Sequence, residues 1–260
     1  MTNFCVFTVQ NVLESVLYIL FFNVLFILLL WSFLSTVLTP IATVPSKYKL
    51  TDEEIELFDN TDDINKNLIL DRFCQAKNLV IETRYPATCI RYCFKCKHIK
   101  PDRARHCSKC GVCVLKMDHH CPWVNNCIGF SNLKNFHLFL LYSTLYSVYL
   151  VCTSLKYVEV ILHEVQLQVV FVGYLIFFYA IFAATLLLYN CRLLCKNQTS
   201  IDALQAPIIA IENGTYDLGC RKNFLQVFGD KWRLWPFPIP SSLGTGCTFP
   251  IRILNTGSSV

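Results

Sequence analysis

Two sets of cysteine and histidine residues follow the same spacing, C-x2-C-x9-H-x6-C, and the second set overlaps the first. The members of the first set are Cys93, Cys96, His106 and Cys113, and those of the second are Cys107, Cys110, His120 and Cys127. Zinc prefers such thiolate and imidazole ligands, and a two-residue gap lets one turn present two thiolates to one ion. The spacing therefore predicts two structural zinc ions. With four protein ligands each, they would hold a strand-poor loop rigid.

Disulfide bonds are the alternative use of so many cysteines. Disulfides belong to oxidising compartments, whereas the rest of this chain places the segment in reducing cytosol. The doubled spacing also matches metal ligands. We therefore interpret both sets as zinc sites.

One cysteine in the segment belongs to neither set. A further shift of the pattern makes Cys121 the first ligand of a third set, but Val124 stands where its partner cysteine would be. An ordinary cysteine thiol, with a pKa near roughly 8.5, needs a base to become a nucleophile at neutral pH. His119 is expected to be that base and Asp118 to orient it, whereas His120 belongs to the second zinc set. A purely structural Cys121 is the alternative.

Three apolar runs are long enough to cross about 30 Å of hydrocarbon at about 1.5 Å per residue. They are Val16 to Leu38, Phe136 to Tyr157 and Leu167 to Tyr189. Core helices are seldom apolar on all faces over such a length. The first run is too long for a signal peptide and lacks a basic leader. The predicted fold is an integral membrane α-helical protein with three transmembrane helices and a cytosolic double-zinc cysteine-rich domain.

Basic residues orient these helices. Residues 40–133 hold more than half of the 23 Lys and Arg, and basic loops stay on the cytosolic side. The zinc domain and the C-terminal region are therefore expected in the cytosol, the N-terminus in the lumen, and the sequons at Asn197 and Asn213 without glycans. The net charge of +5 suits an anionic membrane surface, and no nucleic acid is expected as a partner.

The predicted segments follow from these runs. They are a lumenal N-terminus with the first membrane helix at 1–39, a cytosolic connector at 40–88, the cysteine-rich zinc domain at 89–135, the second membrane helix at 136–157, a short lumenal loop at 158–166, the third membrane helix at 167–190 and a cytosolic C-terminal region at 191–260. Within the connector, Thr51 and Glu54 have the spacing of a capping box at the start of a short helix.

Residues Cys93 to Phe136 resemble the cysteine-rich domain of the DHHC protein S-acyltransferases, or palmitoyltransferases. The shared pattern is C-x2-C-x9-HC-x2-C-x2-C-x4-DHHC-x5-C-x4-N-x3-F, with Asp118-His119-His120-Cys121 as the DHHC motif. Three further segments are similar to the family: Thr199-Ser200-Ile201-Asp202 to its TTxE motif, Asn223 to the asparagine of its C-terminal motif, and residues 241–250 (SSLGTGCTFP) to the tail of one animal subfamily.

The resemblance implies an activity. Cys121 would take an acyl group from acyl-CoA, such as palmitoyl-CoA, and a substrate cysteine would then take it from Cys121, with ping-pong kinetics. The expected partners are membrane lipid and proteins with cytosolic cysteines. The expected locations are an endomembrane, Golgi or endoplasmic reticulum, or the plasma membrane. The oligomeric state is left open.

The family's membrane helices enclose an acyl-chain cavity. Candidates for its lining here are Trp123, Phe136, Phe139, Tyr142, Tyr146, Phe178 and Leu186. Helix packing or lipid contact is the simpler explanation for each one alone. The polar residues expected to support the catalytic domain are Thr199, Ser200, Asp202 and Asn223, and ordinary helix capping is their alternative.

One departure from the family concerns the number of helices. Its members usually have two membrane helices before the cysteine-rich domain, whereas this chain offers one, so the family's first helix is expected to be missing. This favours a rival function, a catalytically impaired, zinc-braced membrane adaptor or short isoform. The retained Asp118, His119 and Cys121 favour the enzyme.

Overall fold

The computed structural model describes residues 11–85, 89–156 and 167–254. The chain forms two compact units. The membrane unit, as we name it, comprises the described parts of 1–38, 134–192 and 233–239, and the zinc unit comprises those of 39–133, 193–232 and 240–260. The predicted lumenal loop at 158–166 lies outside the described residues.

Seven α-helices and ten short strands are present in the described residues. The helices are α1 (Val12–Leu38), α2 (Asp52–Asp59), α3 (Asp63–Ala76), α4 (Leu133–Lys156), α5 (Leu167–Cys195), α6 (Ser200–Leu204) and α7 (Cys220–Phe228). The strands are β1 (Thr83–Arg84), β2 (Tyr92–Cys93), β3 (His98–Ile99), β4 (Arg105–Cys107), β5 (Val112–Val114), β6 (His119–Cys121), β7 (Asn126–Ile128), β8 (Ile208–Ile209), β9 (Gly214–Thr215) and β10 (Arg252–Ile253).

Helices α1, α4 and α5 are long and apolar enough to cross a membrane, which confirms the three predicted spans. Each one extends beyond its apolar run. Helix α1 starts at Val12 because Asn11 caps it, its Oδ1 accepting from the backbone amide of Leu13 at 3.0 Å. Hydropathy detects only the part of a helix that matches the hydrocarbon, so it misses such polar ends.

The membrane helices pack through small polar and aromatic side chains. Ser32 and Thr36 on α1 are fully buried, and both hydroxyls donate to carbonyls of their own helix. Side chains of this size let helix backbones approach closely. The ring of Phe33 on α1 lies 5.5 Å from that of Phe139 on α4.

The zinc unit contains three consecutive antiparallel hairpins, β2–β3, β4–β5 and β6–β7. The expectation of a strand-poor loop was therefore wrong. Each hairpin strand has only two or three residues, too few to give a clear alternating pattern in the sequence. Two further pairs, β1–β8 and β9–β10, join the C-terminal part of the zinc unit to itself and to the segment before the hairpins.

The predicted connector contributes to the core of the zinc unit. Tyr48, Phe58 on α2 and Phe73 on α3 are buried in one cluster with Tyr92 and Ile99 of the first hairpin. Two-stranded hairpins cannot bury an apolar core alone, so these helices supply the other side of it. The capping box at the start of α2 is confirmed.

Candidate active site

The structure gathers the two predicted ligand sets. In each one, the four ligand atoms lie within 4.8 Å of one another. The three thiol sulfurs of the first set lie 3.3 to 3.8 Å from Nδ1 of His106, and those of the second set 3.4 to 3.7 Å from Nδ1 of His120. Tetrahedral zinc would place such atoms about 3.5 to 3.8 Å apart. Both sets therefore fit zinc.

The hairpins explain the spacing of the ligands. His106 faces Cys113 across β4–β5, and His120 faces Cys127 across β6–β7. In both cases the six intervening residues are the remainder of the two strands and the turn. The histidine and the last cysteine of each set are therefore cross-strand neighbours.

Strand alternation explains why the two sets overlap. Successive side chains on a strand point to opposite faces, so His106 and its neighbour Cys107 on β4 serve different sets. His120 and Cys121 stand in the same relation on β6. Cys107 is a ligand of the second set, whereas Cys121 has no third set to join.

The turn after Cys121 still resembles a ligand turn. The sulfur of Cys107 accepts from the backbone amide of Cys110 at 3.4 Å. The backbone amides of Trp123 and Val124 likewise lower the pKa of the Cys121 thiol. Such amides favour a thiolate over a thiol. Cys121 therefore keeps the surroundings of a ligand thiolate without belonging to a metal set.

The predicted base and carboxylate lie beside this thiol. Nδ1 of His119 lies 2.6 Å from Oδ2 of Asp118, and His119 also hydrogen-bonds Cys121. Because Asp118 engages Nδ1, Nε2 is the nitrogen left for the thiol. His119 and Cys121 are alternate residues of β6, so they share one strand face, while His120 points to the other.

Electrostatics favour an ion pair between Cys121 and His119. Burial acts to raise the pKa of Cys121, but the hydrogen bonds from His119 and the turn amides outweigh it and lower that pKa. Burial acts to lower the pKa of His119, but Asp118 and Cys121 raise it to about 9. The pKa of Asp118 stays below its ordinary value because hydrogen bonds from His119 and Ser200 outweigh its burial.

Asp118 is oriented by the start of α6. The backbone amide of Ser200 donates to Oδ1 of Asp118 at 2.7 Å, and the Ser200 hydroxyl donates to Oδ2 at 2.9 Å. Thr199 and Asp202 form a capping box on the same helix. The motif thus caps a helix and also contacts the carboxylate of the site.

Asn223 occupies a buried position where two parts of the zinc unit meet. Its Nδ2 donates to the carbonyl of Cys195 and to Oδ1 of Asp217, both at 2.7 Å. Its Oδ1 accepts from the amide of Leu218. These contacts tie the end of α5 to the turn before α7, and the supporting role of Asn223 stays a prediction.

Sequence reasoning missed a buried polar cluster next to this site. Arg103, Lys116 and Asn197 are all nearly inaccessible, and Oδ1 of Asn197 accepts from both cations. All three have a positive φ, which the sequence does not signal because none is a glycine. Lys and Arg in a cytosolic domain are normally on the surface, and Asn197 was considered only as a sequon.

The acyl-cavity candidates fall in both units. Trp123 of the zinc unit is 85% exposed. In the membrane unit, Phe139 and Tyr146 contact aromatic rings of α1, and the hydroxyl of Tyr142 donates to the carbonyl of Pro236. Phe136 is buried, Phe178 is half exposed and Leu186 is half buried. These contacts are those of helix packing, and the cavity role stays a prediction.

A cationic cleft of about 600 Å³ lies elsewhere in the zinc unit. The cations that line it are Lys66, Arg91, Lys100 and Arg105, and the described lining residues include no carboxylate. Arg91 is only 8% exposed, and its Nη1 has no hydrogen-bond partner among the described residues. Burial lowers the pKa of Arg91 to about 10, so it remains charged at neutral pH. The cleft is therefore suited to an anion.

Comparisons with known proteins identify relatives of this chain. Residues 88–207 match a protein family described as DHHC palmitoyltransferase. Palmitoyltransferase ZDHHC2 of Danio rerio is 39% identical over 262 residues, covering 96% of this chain and 72% of that protein. Palmitoyltransferase ZDHHC15 of Xenopus laevis is 38% identical over 260 residues, covering 96% and 76%. Palmitoyltransferase ZDHHC20 of Homo sapiens is 40% identical over 262 residues, covering 96% and 71%.

Proposed function

This chain belongs to the DHHC palmitoyltransferase family, and we propose that it is a protein S-palmitoyltransferase that works in two steps through a thioester on Cys121. The observation that carries this mechanism is the arrangement of Asp118, His119 and Cys121 around strand β6. A thiol, a base and an orienting carboxylate are the groups that thioester exchange requires.

In the first step, the Cys121 thiolate attacks the carbonyl carbon of an acyl-CoA thioester. A new bond forms between that carbon and Sγ of Cys121, and the bond to the CoA sulfur breaks. Protonated His119 gives its proton to the departing CoA thiolate. Asp118 stabilises the imidazolium beforehand and holds the ring in place.

In the second step, neutral His119 takes the proton of a substrate protein's cysteine. The resulting thiolate attacks the acyl carbon on Cys121, which leaves as a thiolate. His119 is again protonated, so the site returns to its starting state. Two sequential acyl transfers through one enzyme thioester give ping-pong kinetics.

The two ligand sets would hold zinc in a structural role. Zinc, when bound, braces the hairpins that carry the site, since four protein ligands leave it no open position. The ligands belong to β2, β4, β5, β6 and β7 and to their turns. Strand β6 is held through His120, the residue between His119 and Cys121.

Acyl-CoA is the proposed co-substrate, and the cationic cleft supports this choice. CoA carries several phosphate charges, and phosphates pair well with arginine and lysine. Lys66 and Lys100 are partly exposed cations of the cleft lining, and Arg91 adds a nearly buried positive charge. We propose that this cleft binds the phosphates of CoA.

The protein is an integral membrane protein, and we place its zinc unit in the cytosol. The basic character of residues 40–133 and the need of zinc-binding thiolates for reducing surroundings support this orientation. The proposed acyl acceptors are cysteines of cytosolic or membrane proteins. An endomembrane, Golgi or endoplasmic reticulum, or the plasma membrane is the proposed location.

Labelling with acyl-CoA tests the proposal. The purified protein in detergent, mixed with an alkyne-tagged palmitoyl-CoA, is expected to acquire a label that hydroxylamine removes, as a thioester requires. Cys121→Ser should stay unlabelled while retaining two zinc ions. A folded, zinc-loaded parent protein that acquires no label would instead support the adaptor function.

A further inference from the structure

The orientation of Asp118 depends on where helix α6 begins. Besides His119, Ser200 is the residue whose contacts with the carboxylate define its position, through one backbone and one side-chain hydrogen bond. Asp118 is only 2% exposed, so water has little access to replace these bonds. Any shift of α6 would therefore move or release the carboxylate that orients His119.

Helix α6 is in turn anchored by Arg103. Nε and Nη2 of Arg103 donate to Oδ2 of Asp202 at 3.1 and 2.7 Å, and Asp202 caps the same helix through Thr199. Arg103 also donates to the side chain and carbonyl of Asn197. The Arg103 side chain is fully buried. It therefore connects the start of α6 to the end of α5.

Two neighbouring aromatic rings lie beside the Arg103 guanidinium. Its central carbon lies 5.2 Å from the ring centroid of Tyr216 and 5.2 Å from that of Phe249. The ammonium of Lys116 lies 5.5 Å from the Phe249 ring and shares the Asn197 acceptor with Arg103. Aromatic faces carry negative potential and stabilise desolvated cations. The Phe249 ring thus lies beside two buried positive charges.

Phe249 belongs to a C-terminal segment that has its own attachments. The carbonyl of Cys247 accepts from the amide of Asp102, the residue before Arg103, at 3.2 Å. Further along, Arg252 and Ile253 form β10, which pairs with β9. A Cβ on Gly246 would lie 2.7 Å from the Phe130 ring. These contacts hold the segment firmly enough to place Phe249 at Arg103.

We propose that the segment Cys247–Ile253 is a positioning element for Asp118, in which the Phe249 ring acts through Arg103, Asp202 and Ser200. This inference rests on the proposed function, because Asp118 must orient His119 for the segment to influence acylation. Phe249 is a positioning residue and touches neither reacting group. Its aromatic face, rather than its bulk, is the property that matters.

Substitutions at position 249 distinguish the effect of the aromatic ring from the effect of side-chain volume. Phe249→Leu keeps an apolar side chain but removes the aromatic face, whereas Phe249→Tyr keeps the face. The control is Leu254→Ala, just beyond the segment, at a side chain that is 48% exposed. The measurements are the single-turnover rate of Cys121 acylation, the palmitoyl-CoA concentration for half-maximal rate, and zinc per chain.

We expect Phe249→Leu to lower the maximal acylation rate about tenfold, within what a buried cation–π contact can supply. The half-saturating palmitoyl-CoA concentration and the two zinc ions should be unchanged. Phe249→Tyr should retain most of the parent's rate, and Leu254→Ala should match the parent. Arg103→Lys removes the paired guanidinium hydrogen bonds to Asp202. If Phe249 acts through Arg103, adding Phe249→Leu to Arg103→Lys should lower the acylation rate little further.

Other outcomes overturn the inference. If Phe249→Leu and Phe249→Tyr lower the acylation rate equally, or if Phe249→Leu does not lower it, the aromatic ring has no role in positioning. Loss of zinc along with activity in Phe249→Leu would assign the residue to folding. If Phe249→Leu does not fold, Phe249→Met, which also lacks a ring, takes its place, and additive losses of Phe249→Met and Arg103→Lys would disconnect the two residues. A parent protein that is never acylated would overturn the proposed function itself.

Discussion

Adjacent residues His120 and Cys121 have opposite surroundings because they alternate on strand β6. The equivalent pair His106 and Cys107 on β4 divides between the two ligand sets. Cys121 retains the turn amides that stabilise a thiolate, but Val124 replaces the cysteine that would complete a metal pair. The proposed nucleophile is thus a ligand position without a metal.

Replacing the two neighbouring histidines should separate chemistry from folding. His119→Ala should keep two zinc ions and lower acylation by about 10²-fold to 10⁴-fold, the range that a positioned base contributes. His120→Ala should lose one zinc ion and loosen the zinc unit, since metal binding and folding are coupled. Zinc analysis beside hydroxylamine-sensitive labelling makes the comparison.

Cys121→Ser is the matched control for this pair. It should hold both metals and form no stable thioester, because a serine hydroxyl is a weaker nucleophile at neutral pH. Release of zinc by Cys121→Ser, or labelling as strong as the parent's, would rule out Cys121 as the acyl carrier.

Among the secondary-structure elements, the five-residue helix α6 contacts the site from outside strand β6. Its first residue, Ser200, donates two hydrogen bonds to Asp118. The two residues of its capping box, Thr199 and Asp202, are both buried. So short a helix is unstable alone. Its position therefore depends on the capping box and on Arg103.

Removing the Ser200 hydroxyl should weaken catalysis while preserving the fold. Ser200→Ala leaves the backbone amide bond to Asp118 but deletes a hydrogen bond to a charged group, worth roughly 1.5 to 3 kcal/mol. We expect a fall in acylation rate of about tenfold or more, with zinc content unchanged. Ser200→Thr retains the hydroxyl and should stay close to the parent. Equal losses in both variants would contradict a role for the hydroxyl.

The cleft between α3 and the first hairpins yields a separate prediction about substrate affinity. Reversing charge with Lys66→Glu and Lys100→Glu together should raise the KM for palmitoyl-CoA roughly tenfold, as expected for lost and repelled phosphate contacts. The maximal rate should change little. Added salt should reduce the difference in KM between this variant and the parent, because it screens exposed charges.

Lys109→Glu provides the control for the cleft, since Lys109 is exposed and is absent from the described lining. Each Lys→Glu substitution changes the charge by the same amount, so Lys109→Glu is the matched control for Lys66→Glu and for Lys100→Glu taken singly. A similar rise in KM for Lys109→Glu would attribute the effect to net charge rather than to the cleft.

At the scale of the whole molecule, three helices that are long and apolar enough to cross a membrane divide the chain. The charge distribution predicts that the zinc unit lies in the cytosol. The sequon at Asn197 cannot report on this, because Asn197 is 4% exposed and its side chain is bonded to Tyr216 and Arg103. Asn213 is exposed, so its sequon can report on the orientation.

Glycosylation in microsomes or cells should therefore show no glycan at Asn213 in the intact protein. A glycan-acceptor tag fused before residue 1 should be modified, because the N-terminus is predicted to be lumenal. Protease added to sealed vesicles should remove a C-terminal tag and spare an N-terminal one. A glycan on Asn213 would contradict the predicted orientation and would place the zinc unit in the lumen.

The sequence alone determined the two ligand sets, the spare thiol and the three membrane helices. These features depend on local spacing and on hydropathy, which are properties of neighbouring residues and survive without knowledge of the fold. The capping box at Thr51 belongs to the same class. The doubled pattern also contains the signal for strand alternation. His106 and Cys107 serve different ligand sets, and Cys121 serves neither set although its neighbour His120 does, so the two side chains of each pair should point to opposite faces.

Tertiary structure alone decided what surrounds Asp118. Ser200, Arg103 and Phe249 are far apart in the chain, and no spacing rule relates them. Their meeting depends on the packing of the C-terminal part of the zinc unit against the hairpins, which buries Arg103 and Asp202 together. A buried charge needs a hydrogen-bonding or charged partner, so only the folded chain shows which residues hold Asp118 in place.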